Sequence, residues 1–188
     1  MLEARRRITS LSDKTWVFAH IQTDGKGRRG RVWIDPIGNF ACTCVFFPKT
    51  TIDKFALSSF TAALSLYDSL DYFGQSKANI SIKWPNDILL NEKKVAGILL
   101  ETIALGQNKV ALSIGFGVNL LSYPETSELE ENAFSPTSFI AETGITLDPI
   151  DLLKNLALNF SKYEGTLKAK GFSELRNILL SRIHKLGD

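Results

Sequence analysis

The glycine- and arginine-rich segment Gly25–Trp33 contains the residues of this sequence that are best suited to binding an anion. Three glycines let the backbone turn sharply and expose its N–H groups, and the segment adds the cationic donors Lys26, Arg28, Arg29 and Arg31. Backbone amides and guanidinium groups both bind phosphoryl oxygens. The segment is neither a GxxxxGK[ST] loop nor a GxGxxG helix start. It therefore predicts a different kind of nucleotide-binding loop, with a solvated basic loop or a nucleic-acid patch as the alternative.

A second cluster, Lys83-Trp84-Pro85-Asn86-Asp87, follows a short alternating strand pattern. A proline at this point ends the strand's hydrogen bonding. Asn86 and Asp87 are therefore expected at a strand end, where their side chains can face a ligand or a metal-bound phosphate. An ordinary Asx turn would explain the same two residues.

Lys94 stands directly before the apolar run Val95–Leu100. In a regular strand Lys94 shares one face with Ala96 and Ile98. The lysine is then expected at the rim of an apolar surface, where its ammonium can meet a carboxylate or a phosphate. A surface lysine in a hairpin is the alternative.

The predicted strand Lys109–Asn119 has two unlike faces. One face is bulky, with Val110, Leu112, Ile114, Phe116 and Val118, and the other is nearly bare, with Ala111, Ser113, Gly115, Gly117 and Asn119. The bare face leaves room for a flat ligand against the backbone, although close packing against a helix would explain it equally well.

The elements that must position these residues follow from the hydrophobic periodicity. Helices are predicted over Leu2–Thr9, Asp53–Phe73 with Asp53 as N-cap, Pro136–Glu142, Pro149–Lys168 and Phe172–His184; strands over Trp16–Ile21, Phe40–Phe47, Ile80–Trp84, Ile88–Leu90, Val95–Thr102 and Lys109–Asn119, the last two joined by a hairpin at Gly106–Asn108. The acidic stretch Glu125–Glu131 is interpreted as an exposed loop. Strands clustered early and helices late predict an α+β fold with a mixed, mostly antiparallel sheet.

Composition limits the class of protein. With 188 residues, of which 44% are hydrophobic and 22% charged, the chain fits one globular domain, and its net charge of +2 says little about partners. The apolar runs are too short for a membrane span, and the basic start leads into no signal-peptide core, so we expect a cytoplasmic protein.

Other catalytic chemistries find little support in the sequence. Cys42 and Cys44 lie two residues apart on a predicted strand and are interpreted as core residues, because strand neighbours make poor disulfides and His20 and His184 do not complete a convincing metal site. No HExxH, GxSxG, EF-hand or CxxC pattern occurs, so a covalent nucleophile is not expected.

Four motifs, GKGRRGRVW, KWPNDILL, KKVAGILLE and IGFGVNL, resemble the biotin–protein ligase family in their order and spacing, most strongly over Phe18–Leu120. The resemblance implies one catalytic domain over residues 1–188, with a fold related to class II aminoacyl-tRNA synthetases. It implies that biotin and ATP form biotinyl-5′-AMP, and that biotin then passes to one lysine of a carboxyl carrier domain of acetyl-CoA carboxylase or a related carboxylase. A lipoate or octanoate ligase, or a truncated non-catalytic binder, is the alternative.

The same resemblance assigns roles to individual residues. Biotin would be bound by Gln22, Gly25, Lys26, Gly27, Arg28, Lys94, Gly115 and Gly117, and ATP by Arg29, Arg31, Trp33, Asn86, Lys94 and Asn119, with Trp33 on the adenine side. The catalytic residues would be Lys94, Arg28 and Asp87. Mg²⁺ would arrive with ATP and not occupy a fixed protein site.

The sequence departs from the family pattern at its ends. The Asp-Ser-Thr-Asn segment that normally precedes this region, the small C-terminal β-barrel and a DNA-binding domain are not found in the sequence. We therefore expect neither nucleic acid nor membrane among the partners, while a homodimer is compatible with the family.

Overall fold

A six-stranded sheet forms the centre of the molecule in the computed structural model, which describes residues 1–11, 13–49, 51, 54–106, 109–125 and 134–184. Its strands are β1 Thr15–Ala19, β2 Phe40–Phe46, β3 Ile80–Lys83, β4 Asp87–Leu90, β5 Lys93–Gly106 and β6 Lys109–Val118. They lie in the order β1-β2-β6-β5-β4-β3, and each of these neighbours pairs antiparallel. The predicted α+β class is confirmed, and the sheet is antiparallel between all of its named strands.

Five α-helices accompany the sheet in the described residues: α1 Leu2–Arg6, α2 Leu57–Gly74, α3 Phe139–Thr143, α4 Pro149–Lys170 and α5 Phe172–Leu180. Short 3₁₀ turns occur at Ile8–Ser10 and Arg28–Gly30. Asp148 caps α4, because its carboxylate accepts from the backbone N–H groups of Ile150 and Asp151 at 2.7 and 3.2 Å.

Some predicted features fall on residues that the structure does not describe. The N-cap Asp53 is one, and so are residues 107–108 of the predicted hairpin and 126–131 of the acidic loop. The structure begins α2 at Leu57, where the preceding Ala56 has no side chain that could cap the helix.

The main core lies between one face of the sheet and helices α2, α4 and α5. Phe160 of α4 is fully buried and contacts the rings of Trp16 and Phe46, with centroids 5.7 and 6.1 Å apart. On the opposite face, α1 covers a smaller cluster that includes Ala4 and Val45. The remaining part of that face, where β5 and β6 carry glycines, is left for the site described below.

Strand β2 is buried along its whole length, as its apolar and aromatic sequence predicts. Its two cysteines, Cys42 and Cys44, are free and buried, and burial raises the pKa of both thiols, that of Cys42 to about 12. Their interpretation as core residues is confirmed. In the described part of the chain, no group of three or more His, Cys, Asp or Glu side chains could hold a metal ion, and no helix could cross a membrane.

Replacing Phe160 by Ala should lower the free energy of unfolding by about 3–5 kcal/mol, because the cavity left among the aromatic rings cannot collapse completely. Denaturant unfolding followed by circular dichroism measures the change. Leu158 lies on the same helix but is 72% exposed, so Leu158→Ala should change stability by about 0.5 kcal/mol or less. Equal losses from the two substitutions would contradict this account of the core.

Candidate functional site

The basic segment folds into a small closed loop. The N–H of Trp33 donates to the carbonyl of Gly25 at 2.9 Å, and the N–H of Gly27 donates to the carbonyl of Arg31 at 2.8 Å. The tip turns through Arg29 and Gly30, whose φ angles are 59° and 76°. Position 25 requires glycine, because a Cβ there would lie 2.2 Å from the carbonyl oxygen of Trp33. The loop thus has a defined base and a tip rich in arginine.

This loop covers a cavity of about 580 Å³ whose other walls are the Lys83–Asp87 turn, β5, β6 and the segment around Pro136. The volume is that of a site for a small molecule or cofactor. Of the residues predicted to act in binding or catalysis, all but Gly25 line the cavity: Gln22, Lys26, Gly27, Arg28, Arg29, Arg31, Trp33, Asn86, Asp87, Lys94, Gly115, Gly117 and Asn119. Gly25 is buried at the base of the loop. The structure therefore brings the four motifs together, and their individual roles stay predictions.

The floor of the cavity is the glycine face of β5 and β6. The indole of Trp33 lies directly on it, since a Cβ at Gly117 would be 2.5 Å from Cε2 of Trp33, and one at Gly97 would be 3.1 Å from Cζ3. The side chain of Met1 lies against Gly115 in the same way, since a Cβ at Gly115 would be 2.9 Å from Sδ of Met1. The bare face thus admits flat or slender groups. In this structure the groups that cover it are the side chains of Trp33 and Met1. The Nε1 of Trp33 is buried against the sheet and has no hydrogen-bond partner among the described residues.

The prediction that Lys94 shares a face with Ala96 and Ile98 is wrong. Strand β5 contains a β-bulge, because Ile88 of β4 pairs with Ala96 while the next residue, Leu89, pairs with Lys94. The extra residue reverses the alternation of side chains. Lys94 therefore lies on the open face, with its ammonium 5.6 Å from the centre of the Trp33 ring.

Three side-chain contacts join the Lys83–Asp87 turn to the rest of the site. The ammonium of Lys94 lies 2.9 Å from the carboxylate of Asp87, and this ion pair is largely shielded from solvent. Arg28 donates to the side-chain oxygen of Asn86 at 3.1 Å, and the amide nitrogen of Asn86 donates to the carbonyl of Ile98 at 3.1 Å. Asn86 and Asp87 thus face the cavity, as predicted, and Asn86 connects the loop tip to the sheet.

The charge in the cavity is strongly unbalanced. Among its described lining residues Asp87 is the one carboxylate, whereas the cations are Lys26, Arg28, Arg29, Arg31, Lys83 and Lys94. Such a cavity concentrates anions, and phosphate groups above all. Asn119 lies at one end and is almost fully buried, with its amide nitrogen donating to the carbonyl of Thr137 at 3.0 Å. Its side-chain oxygen is the atom that could meet a ligand.

The sequence reasoning missed an aromatic part of the wall. Trp84 lines the cavity although its side chain is 60% exposed, and Lys83 places its ammonium 3.8 Å from the centre of the Phe134 ring. The sequence signal for Trp84 is its place in the Lys83–Asp87 cluster, two residues before Asn86. Phe134 gave none, because it lies far along the chain in irregular structure and reaches the site only through the tertiary fold.

Comparisons with known proteins agree with this arrangement. A model of the biotin/lipoate A/B protein ligase family matches residues 1–119. The chain is 44% identical to a biotin–[acetyl-CoA-carboxylase] ligase of Paracoccus denitrificans, over 99% of this chain and 78% of that protein. It is 31% identical to the bifunctional ligase/repressor BirA of Bacillus subtilis, over 92% of this chain but only 52% of that protein. The chain thus spans about half the length of the bifunctional relative.

Among solved structures, the chain is similar to the biotin protein ligase from Aquifex aeolicus in complex with biotin and ATP. The TM-score is 0.80 at 28% identity, and the match covers 98% of this chain and 76% of that one. The six-stranded antiparallel sheet with flanking helices therefore has the fold of that ligase, as the resemblance implied.

Replacing Gly117 by Ala should displace the Trp33 indole, because the new Cβ would overlap its pyrrole edge. We expect Trp33 fluorescence to shift to longer wavelength and to be quenched more by iodide, measured as the difference from a matched Trp33→Phe protein. Gly165→Ala is the control: a Cβ there meets nothing within 4 Å, and alanine inside α4 should raise stability by about 0.5–1 kcal/mol without changing the spectrum. Unchanged Trp33 emission in Gly117→Ala would contradict the described contact.

Proposed function

Because the chain belongs to the biotin/lipoate A/B protein ligase family, we propose that it activates biotin with ATP and transfers it to a lysine of a carrier protein. The observation that carries this proposal is the arrangement of the cavity: a cationic loop, a glycine floor and Lys94 between them. A slender apolar acid fits the floor, and a nucleotide triphosphate fits the cations. The chain is then an enzyme of the ligase class with biotin and ATP as its substrates.

In the first step the carboxylate of biotin attacks the α-phosphorus of ATP. The bond from that phosphorus to the α,β-bridging oxygen breaks, so that biotinyl-5′-AMP forms and pyrophosphate leaves. Both reactants are anions, and the barrier therefore depends on fixed positive charge and on alignment of the two groups. Lys94 stands at the floor of the cavity beside Trp33. In this proposal it would meet the biotin carboxylate and the α-phosphate together. Arg29 and Arg31 would neutralise the leaving phosphates.

In the second step the amine of the carrier lysine attacks the acyl carbon of the adenylate. An amide bond forms, the mixed anhydride breaks and AMP leaves. The incoming ammonium must first lose a proton, and Asp87 is the carboxylate in the described cavity wall that can hold this lysine and accept its proton. The Lys94–Asp87 ion pair would hold the Asp87 carboxylate in its orientation until the carrier lysine arrives.

The basic loop would protect the reactive adenylate between the two steps. Arg28 reaches across to Asn86 and so closes the side of the cavity between the loop and the Lys83–Asp87 turn. Exclusion of water from this space slows hydrolysis of the mixed anhydride. Gln22, Gly25, Lys26 and Gly27 would form the part of the cover that contacts biotin.

Magnesium would reach the site bound to ATP. Asp87 is paired with Lys94, and the described residues offer no cluster of three acidic or histidine ligands, so they do not fit a resident metal ion. The carrier is proposed to be the biotin carboxyl carrier domain of acetyl-CoA carboxylase or a related carboxylase, on the strength of the name of the Paracoccus relative. A homodimer and a cytoplasmic location stay predictions.

The function is tested with the purified chain, biotin, α-labelled ATP, Mg²⁺ and a purified carrier domain. We expect labelled biotinyl-AMP in the absence of the carrier, and biotinylated carrier, detected by its mass, when it is added. Replacing biotin by lipoate or octanoate should give neither product; activity with those acids alone would make the chain a lipoyl-type ligase. If no acid is activated, and a chain extended at both ends also fails, the proposal is wrong.

Lys94→Met should reduce kcat/KM for adenylate formation by about 100–1000-fold, because it removes one fixed charge aimed at the reacting groups. Pyrophosphate release measures the rate. Lys154→Met, which removes a solvent-exposed lysine of α4 paired with Asp151, is the matched control and should leave the rate unchanged. A fall of less than threefold in Lys94→Met would exclude the proposed role of this lysine.

A further inference from the structure

A carboxylate that does not line the cavity lies directly behind one of its walls. Glu142 belongs to the short helix α3, and its side chain is only 9% exposed. It accepts hydrogen bonds from the hydroxyl of Thr137 at 2.6 Å, from the amide of Asn91 at 2.7 Å and from the ammonium of Lys93 at 3.1 Å. Three donors from outside α3 thus converge on one buried acid.

Each donor belongs to a segment that reaches the site. Asn91 lies in the turn between β4 and β5, and Lys93 is the first residue of β5, directly before Lys94. Thr137 directly follows Pro136, which lines the cavity. Glu142 therefore holds the start of β5 and the segment Ser135–Thr137, which forms part of the cavity wall, in one fixed arrangement.

The segment Ser135–Thr137 is in turn hydrogen-bonded to Lys94 and to Asn119. The N–H of Lys94 donates to the carbonyl of Ser135 at 2.8 Å, and the N–H of Thr137 donates to the carbonyl of Lys94 at 2.9 Å. The side-chain amide of Asn119 donates to the carbonyl of Thr137 at 3.0 Å. A displacement of Thr137 would consequently move Lys94 and Asn119 together.

The charge of Glu142 suits this role. Burial alone would raise the pKa of Glu142, but the hydrogen bonds from Thr137, Asn91 and Lys93 outweigh it and lower that pKa. Hydrogen bonds to an ionised acceptor are shorter and stronger than neutral ones, so an ionised Glu142 holds its donors more rigidly than an amide would.

We propose that Glu142, acting through Thr137, is a positioning residue for Lys94, which would meet both substrates, and for Asn119, which would meet ATP alone. This inference rests on the proposed ligase function. Gln22 and Gly115, on the biotin side, belong to other segments and have no described bond to this network. Loss of the network should therefore weaken the use of ATP more than the use of biotin.

Thr137→Val is the sharpest test, because it removes the hydroxyl that joins the wall to Glu142 and preserves side-chain size. We expect KM for ATP to rise about tenfold and kcat for adenylate formation to fall by about 10–100-fold. Losses of this size are expected when a catalytic group is slightly displaced from its productive position. KM for biotin should change less than threefold. Glu142→Gln should act in the same direction, and Thr137→Ser, which restores the hydroxyl, should recover near wild-type values.

Glu174→Gln is the matched control, since Glu174 pairs with Lys170 at 3.8 Å on the protein surface, outside the cavity lining. It should leave both KM values unchanged. If Thr137→Val and Glu142→Gln lower thermal stability but keep wild-type kinetics, or raise KM for both substrates equally, Glu142 is only a structural residue and the inference fails.

Hydrogen exchange at the backbone amides of Lys94 and Thr137 gives a second readout that needs no activity. Exchange should be faster in Thr137→Val and Glu142→Gln and unchanged in Glu174→Gln. If the wild-type chain and the chain extended at both ends were both inactive, the proposed function would be wrong, while this measurement would still decide whether the network positions Lys94. Unaltered exchange in both network variants would contradict the inference.

Discussion

The contact between the Trp33 indole and the glycine backbone of β5 and β6 is the constraint on which the rest of the site depends. A Cβ at Gly117 would overlap the ring, and one at Gly97 would lie in tight contact with it, at 3.1 Å. The contact fixes the base of the basic loop over the sheet, which in turn places the arginines above the floor. The glycine face is free for this contact because α2, α4 and α5 pack in the main core on the other face of the sheet.

Much of this arrangement could be predicted from the sequence. Periodicity located most of the elements, and β2 was indicated instead by its continuous apolar and aromatic sequence. The unequal faces of β6 indicated the floor, and the resemblance of four motifs indicated which residues meet. The predictions of the elements and of the floor depend on local sequence alone. The prediction of which residues meet depends on four motifs whose residues line the cavity together.

The remaining features depend on tertiary structure. The bulge near Val95 reverses the direction of Lys94, and regular alternation cannot reveal an extra residue in one strand. Glu142 and Phe134 lie far along the chain from the loop and the Lys83–Asp87 turn, in segments whose own sequence suggests a short helix and an irregular connection. Their importance comes from the groups they contact, so that only the folded structure shows it.

The β5–β6 hairpin has a consequence for how the molecule folds. Neighbouring strands pair along most of their length, from Ala96 with Val118 to Gly106 with Lys109, so Gly97 and Gly117 come together with little loss of chain entropy. The basic loop must instead be delivered by β1 and β2, which join the sheet through contacts distant in sequence. The floor can thus form from a single hairpin, whereas its cover requires strands that are distant in sequence.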